Sequence, residues 1–506
     1  MLKSRVSTSA VFVLALFGCS TENDDQAPEP ELGQVKQALN LAAAGQICSQ
    51  DTRVQLGIVT QNECVGAELF FRDEFGGNGR SCASCHPAAN NYTIDPTFIS
   101  QLPPSDPLFV AEQDPALAQL EIPALMRSSG LILENVDGAE NPTQKFTLRS
   151  VPHCLGLSKS ITAPAGPGPL ERTGWSGDGA PGQGRLKDFQ TGAIFQHYTQ
   201  TLARDEGPDF VQANPAELTA IDAFLKTIGR TNDLDLALVA LSDSGAQAGR
   251  GTFMEPAKRC NVCHSNAGAN LASGINQNFD TGVERVRLAA LNTQNIPFDG
   301  GFGGQGLGAF NFDANGDSIN DSFGNGQFNT PPLVEAADTG PFFHTNAFNT
   351  IEQAVGFYNS PAFNNSPAGA FGAISMTPTE VANIGRFLRV LNAALNAQMA
   401  IARIDAALPV IEEDKNQSRD MQQELLRLAL VEAEDALQVL SAVSGLNASA
   451  QTNLTSALGF LQTASTHASH TQRKRAAEDA RVKLVAANGS LGTGMSFVMG
   501  GGTVLF

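Results

Sequence analysis

The sequence predicts a mainly α-helical fold: two repeated, loop-wrapped units followed by a helical extension. Three observations predict it. The stretches "GAELFFRDEFGGNGRSCASCH" and "AGRGTFMEPAKRCNVCH" share one layout, an apolar helix end, a loop and a C-x-x-C-H motif. Segments with apolar residues at helical spacing recur between and after them. Beyond residue 396 the composition turns to leucine, alanine and glutamate, as in "ELLRLALVEAEDALQVLSAV".

A chain of 506 residues has room for two or three domains with cores of their own. Charged residues make up 16 % and the net charge is −19. Nucleic acid wants a basic face, so that class of partner is excluded. The acidic balance serves solubility, or the approach of a basic protein.

The N-terminus reads as a targeting segment. Lys3 and Arg5 precede the apolar run "AVFVLALFG", too short for a permanent membrane span. The run ends in "LFGC", which resembles a bacterial lipoprotein box. That would make 1–19 a lipoprotein signal peptide and Cys19 the first mature residue and lipid carrier. An ordinary secretory signal that happens to contain Cys19 is the alternative. The polar stretch behind it, 20–40, reads as a flexible tether and favours lipidation. No later stretch is long and apolar enough to span a membrane. The expected location is the periplasmic side of a bacterial envelope, with a lipid anchor in the outer membrane, where disulfides persist.

C-x-x-C-H is the attachment signature of c-type haem. Each thiol bonds one porphyrin vinyl group, and the adjacent histidine ring reaches the iron. Cys82, Cys85 and His86 would hold a first haem; Cys260, Cys263 and His264 a second. A zinc site would need four ligands, and the directly adjacent histidine in both motifs of an exported chain fits haem better. Of the remaining cysteines, Cys48 and Cys64 are close in sequence and make a plausible disulfide, leaving Cys154 free; other pairings stay open.

The two motifs make the repeat a duplicated cytochrome-c-like unit, with haem-one and haem-two domains over 41–232 and 233–395. "NPAELTAIDAFLKTIGR" is an amphipathic helix with Leu218, Ile221, Phe224 and Leu225 on one face. "MTPTEVANIGRFLRVLN" opens with Thr377 as cap, Pro378 at the first helical position and Glu380 three residues on. It reads as the closing helix of the second domain. The helical extension covers 396–490 and a tail 491–506. Glycine- and asparagine-rich loops occupy 294–330. There "DANGDSIND" sets Asp313, Asn315, Asp317 and Asp321 at oxygen-rich positions, as in a calcium loop, without the glutamate that completes an EF-hand. A polar turn is the equal alternative.

From about residue 64 to 392 the chain resembles the bacterial di-haem cytochrome c peroxidases and their MauG relatives. The haem motifs are part of the resemblance. "FNTPPLVEAADTGPFFHTNAFNTIEQAVGFY" is similar to the family stretch after haem two, and "FTLRSVPH" and "GWSGDG" are weaker counterparts in the first half. The resemblance implies that His344 contacts a haem propionate and that the carbonyls of Thr339 and Pro341 bind calcium. It also implies that Tyr358 stands where peroxidases place the second haem's methionine and MauG enzymes a tyrosine, and that Trp175 lies between the haems. Tyr358 and Trp175 each have a packing role as alternative. His153 and His197 are candidates for the open side of haem one, with His197 the nearest acid/base candidate. Two departures bear on the reaction. The loop "PAANNYTIDPTFISQLPPSDPLF" lacks the histidine that caps haem one in peroxidases, and the distal glutamate is not visible in "LKDFQTGAIFQHYTQ".

The expected function is reduction of hydrogen peroxide at haem one, with electrons relayed through haem two from a small donor such as a cytochrome c or cupredoxin. The alternatives are a MauG-like oxidase or haem oxygenase using oxygen or peroxide on an organic or protein substrate, and a non-enzymatic electron carrier. The resemblance further implies a homodimer.

Overall fold

The computed structural model describes residues 39–135, 146–166, 168–177, 184–301 and 322–506, with backbone alone at Ser322 and Phe323. Cys19, the signal and tether to residue 38, and Asp313, Asn315, Asp317 and Asp321 lie outside the described residues. The fold is mainly α, as expected.

Helix α1 (Leu41–Gln50) packs against α2 (Gln61–Arg72), and a Cys48–Cys64 disulfide joins them. A capping box starts α2: Glu63 N donates to Thr60 Oγ1 at 3.2 Å and Thr60 N to Glu63 Oε2 at 2.8 Å. The first motif forms one helical turn, α3 (Cys82–Cys85). Strands β1 (Leu131–Asn135) and β2 (Phe146–Ser150) pair antiparallel, Leu131 opposite Ser150. Helix α4 (Leu186–His197) follows, then α5 (Pro215–Leu225), which packs on α2. The expected amphipathic helix is α5: Asn214 caps it, Pro215 opens it, and Ile221, Phe224 and Leu225 are buried.

The second half repeats the plan. After a short strand β3 (Ala240–Leu241), α6 (Ser244–Met254) leads by a loop into the second motif turn, α7 (Cys260–Cys263). Strands β4 (Phe279–Asp280), β5 (Phe298–Gly301) and β6 (Ser322–Phe328) form a sheet in which β6 pairs antiparallel with β4 and parallel with β5. This corrects the reading of 294–330 as loop throughout. Glycine is depleted in strands, so "FDGG" and "SFGNGQF" carry no strand signal. Tertiary pairing makes the strands instead. Arg149 on β2 ties the two sheets together by a two-pronged bond to Asp299 on β5, at 2.6 and 2.9 Å.

Helix α8 (Ile351–Phe357) precedes the longest element, α9 (Pro378–Asp414), which begins with the expected Thr377–Glu380 capping box. Helices α10 (Arg419–Ser441), α11 (Ala448–Thr466) and α12 (His470–Leu491) pack with the second half of α9 as a helical bundle. The expected boundary between 395 and 396 therefore falls inside one helix. Buried residues continue across it without a break, from Leu388 through Leu395 to Met399 and Ile404, so no loop separates the extension from the second unit.

The tail returns to the segment joining the two repeats. Its strand β7 (Gly492–Thr493) pairs with β3. Thr231 N donates to Val498 O at 2.8 Å, Gly500 N to Gly229 O at 3.0 Å, and Gly229 N to Thr503 Oγ1 at 3.0 Å. Two glycines permit the contact: a Cβ at Gly494 or Gly500 would lie 2.4 Å from the carbonyl oxygen of Leu238 or Thr227.

Candidate functional site

Both C-x-x-C-H motifs are built alike. In each, one helical turn puts the two cysteines three apart on a common face, and the histidine closes the turn: His86 N donates to Cys82 O at 2.9 Å and His264 N to Cys260 O at 3.0 Å. In each, one ring nitrogen is held by a backbone carbonyl. His86 Nδ1 lies 2.8 Å from Tyr92 O, and His264 Nδ1 lies 3.0 Å from Pro331 O. That engagement fixes ring orientation and leaves Nε2 for another partner, the arrangement typical of metal-ligating histidines. Burial lowers the pKa of both rings, His264 to about 4, which keeps the neutral form that ligates metals.

Cys82, Cys85, Cys260 and Cys263 are free thiols. Burial pushes Cys82 up to about 11 and Cys85 up to about 12, so both stay protonated. Tyr198 Oη donates to Cys82 Sγ at 3.1 Å. Cys154 Sγ sits 3.3 Å from His86 Nδ1. Just ahead of the first motif, buried Arg80 donates to Glu121 at 2.9 Å and to Leu108 O at 2.7 Å, which clamps the loop carrying the motif.

One cavity of about 490 Å³ is walled by both motifs. The same wall includes Trp175, His344, His153, His197, Tyr358, Thr339 and Pro341. The structure thus gathers the described candidates around one space, apart from the disulfide pair. Trp175 Nε1 donates to Ser150 O at 2.7 Å, and its ring meets His344 edge-on at 6.4 Å. His344 stacks on Phe328 at 4.1 Å, and burial lowers its pKa to about 4. Tyr358 packs against Phe363 at 4.9 Å. Its phenol is pushed up by burial and by the nearby thiols of Cys263 and Cys260, so it stays protonated in the absence of a metal.

His197 departs from the chemistry expected of it. Burial, with Arg80 and Arg204 adding repulsion, pushes it down to about 3. It is a neutral imidazole near pH 7, not a group poised between two protonation states. His153 is lowered by burial too, and its Nδ1 has no hydrogen-bond partner among the described residues.

Sequence reasoning missed Tyr92, Cys154, Tyr198 and Arg80. Cys154 and Tyr198 each adjoin a histidine that was singled out, which is a weak signal. Tyr92 acts through its backbone, which leaves no side-chain signature.

The residues present fit covalently held haem. Four free thiols, two histidines with one nitrogen engaged, and a mostly apolar wall meet its requirements. Among the described residues no cluster of three or more His, Cys, Asp or Glu is arranged to hold a metal ion by itself. No family model matches the chain, and no curated protein matches it.

Proposed function

We propose that this chain is an exported di-haem c-type oxidoreductase of the cytochrome c peroxidase and MauG type, built on two cytochrome-c-like units, which reduces hydrogen peroxide at the first motif. The observation that carries the reading is that both C-x-x-C-H turns, each with its histidine held through Nδ1 by a carbonyl, face one cavity.

When bound, the haems supply redox-active iron that passes electrons to peroxide. The chain does the rest. Cys82 and Cys85, and Cys260 and Cys263, would tether the haems, and His86 and His264 would ligate the irons. The carbonyls of Tyr92 and Pro331 set the ring planes and the donor strength of those ligands. Trp175 and His344, in edge contact, stand in the wall shared by both motifs and give electrons an aromatic path. Peroxide takes two electrons and two protons to give two waters, and neutral His197 can accept or pass a hydrogen bond near the first motif without adding charge. Thr339 and Pro341 contribute carbonyls toward a calcium ion in the family manner. Beside the second motif an apolar patch meets solvent: Val262 is 51 % and Phe371 84 % exposed, and Arg259 joins the two segments by donating to Gly372 O at 2.8 Å. A small electron-donor protein would enter there.

A second reading, a MauG-like oxidase or oxygenase, is favoured by Tyr358 in the cavity wall beside the second motif. The test is an optical and electron paramagnetic resonance spectrum of the ferric protein before and after one equivalent of peroxide. A high-spin signal that peroxide consumes, with water as product, is expected. Two unchanged low-spin signals would leave an electron carrier instead, and oxygen insertion into an organic substrate would select the second reading.

A further inference from the structure

The helical extension is joined in sequence to the second unit, and it packs on the first as well. Helix α10 lies over the turn that follows the first motif. That turn carries two successive non-glycine residues in the left-handed region, Asn91 and Tyr92, both at φ 54°. Such a pair is uncommon and costs free energy, so the surroundings must hold it. Within the turn, Tyr92 N donates to Pro87 O at 3.1 Å. From outside, Asn91 Nδ2 donates to Asp435 Oδ2 on α10 at 3.3 Å. Tyr92 is 0 % exposed, and Arg403 of α9 and Glu432 of α10 act on its phenol electrostatically and pair with each other at 2.9 Å. The same Tyr92 offers the carbonyl that holds His86 Nδ1 at 2.8 Å.

We infer that the C-terminal extension is a positioning element for the first haem, with Asp435 its contact residue. Asp435 grips Asn91, the charged Arg403–Glu432 pair stands within electrostatic reach of Tyr92, and the turn so held presents the Tyr92 carbonyl to His86. The strength of that bond sets the electron donation of the proximal histidine, hence the behaviour of the first iron and not the second. His264 takes its bond from Pro331; α10 reaches the second unit at Ala336–Asp338, five residues further on, whereas the hydrogen bond of Asp435 goes to Asn91 in the first. The inference rests on the reading of His86 and His264 as haem ligands.

The experiment compares Asp435→Ala and Asp435→Asn with the parent protein, all carrying haem. Three properties are read: haem count per chain, the reduction potential of each haem, and the iron–histidine stretching band of the reduced protein. Asp435→Ala should shift the potential and band of the first haem and leave the second in place. Asp435→Asn keeps an oxygen acceptor for Asn91 and should restore the parent values. Hydrogen exchange at the amides of Tyr92 and Thr93 should quicken in the alanine variant alone. Two attached haems whose potentials stay put in Asp435→Ala, or move together, overturn the inference by itself. A chain that carries no haem when matured in a cytochrome c-competent host overturns the functional reading and this inference with it.

Discussion

His86 Nδ1 and the carbonyl oxygen of Tyr92 are 2.8 Å apart, and His264 repeats the relationship with Pro331 at 3.0 Å. The two motifs are 178 residues apart in the chain, counted from His86 to His264, yet they solve the same problem with the same device. A carbonyl orients each ring and makes it a better donor. The symmetry implies that each motif holds its own group independently.

Replacing Cys260 and Cys263 together by alanine is therefore expected to leave one haem per chain, and Cys82 with Cys85 likewise. Mass spectrometry of the intact protein and the pyridine haemochrome spectrum read the count. Loss of both haems from either double variant would show that the motifs do not act separately.

Much of the candidate site was legible because the C-x-x-C-H signal is written locally. Five consecutive residues carry two thiols and an imidazole, so the spacing alone brings them together. The helix start at Thr377 was equally legible, since a capping box is a four-residue signal. What escaped was set by tertiary contact. Strands β5 and β6 are glycine-rich and gain their pairing from each other, from β4 and from the Arg149–Asp299 bond. The continuity of α9 through residue 396 followed from burial on both sides of an assumed boundary, and nothing in composition announces it. The acid/base role expected of His197 assumed a neutral-range pKa, whereas burial, with two guanidinium groups adding repulsion, lowers it to about 3.

Tyr358→Phe tests the second ligand. The ring would keep its place between Phe357 and Phe363, at 5.3 and 4.9 Å, so packing is preserved and the oxygen alone is lost. The ferric spectrum of the second haem should change and that of the first should not. An unchanged spectrum would assign Tyr358 to the core.

Thr503→Val tests the tail as a clasp. Thr503 Oγ1 accepts from Gly229 N at 3.0 Å, and Thr503 is 0 % exposed. Valine has the same shape and no acceptor, so it would strand a buried N–H at a cost of about 1–3 kcal/mol. Urea unfolding should report that loss, and hydrogen exchange should quicken at Gly229. A midpoint equal to the parent's would mean water replaces the hydroxyl.

Cys48 and Cys64 close a loop with a sequence separation of 16. For a loop of that size, chain entropy predicts a stabilisation of about 3 kcal/mol. A Cys48→Ser, Cys64→Ser double variant should lose about that much in denaturant unfolding, and the parent should lose it under reductant. If added reductant further weakens the double variant, the effect belongs to another thiol.

Glu432 gives stability a sign with pH. It is buried, and burial raises its pKa from an ordinary value near 4.5 to about 7, although Arg403 at 2.9 Å pulls the other way and Asp338 adds repulsion. Burial wins because two charges lose more hydration than their attraction returns unless further hydrogen bonds complete the pair, and Glu432 Oε2 has none among the described residues. With the folded pKa above the unfolded one, the folded state holds the proton more tightly. The contribution is present in full below pH 4.5 and is lost as pH rises through about 7. The span between the two values corresponds to roughly 3 kcal/mol. Asp338 and Asp435 are raised by burial as well and slope the same way, so the parent alone cannot isolate Glu432. The difference between the parent and Glu432→Gln can. Glutamine keeps the shape and carries no titratable proton, so the variant should gain on the parent between pH 5 and pH 9, as read by urea midpoints at each pH. Parallel stability curves would mean that Glu432 is ionised in the fold throughout and that its pair with Arg403 outweighs burial.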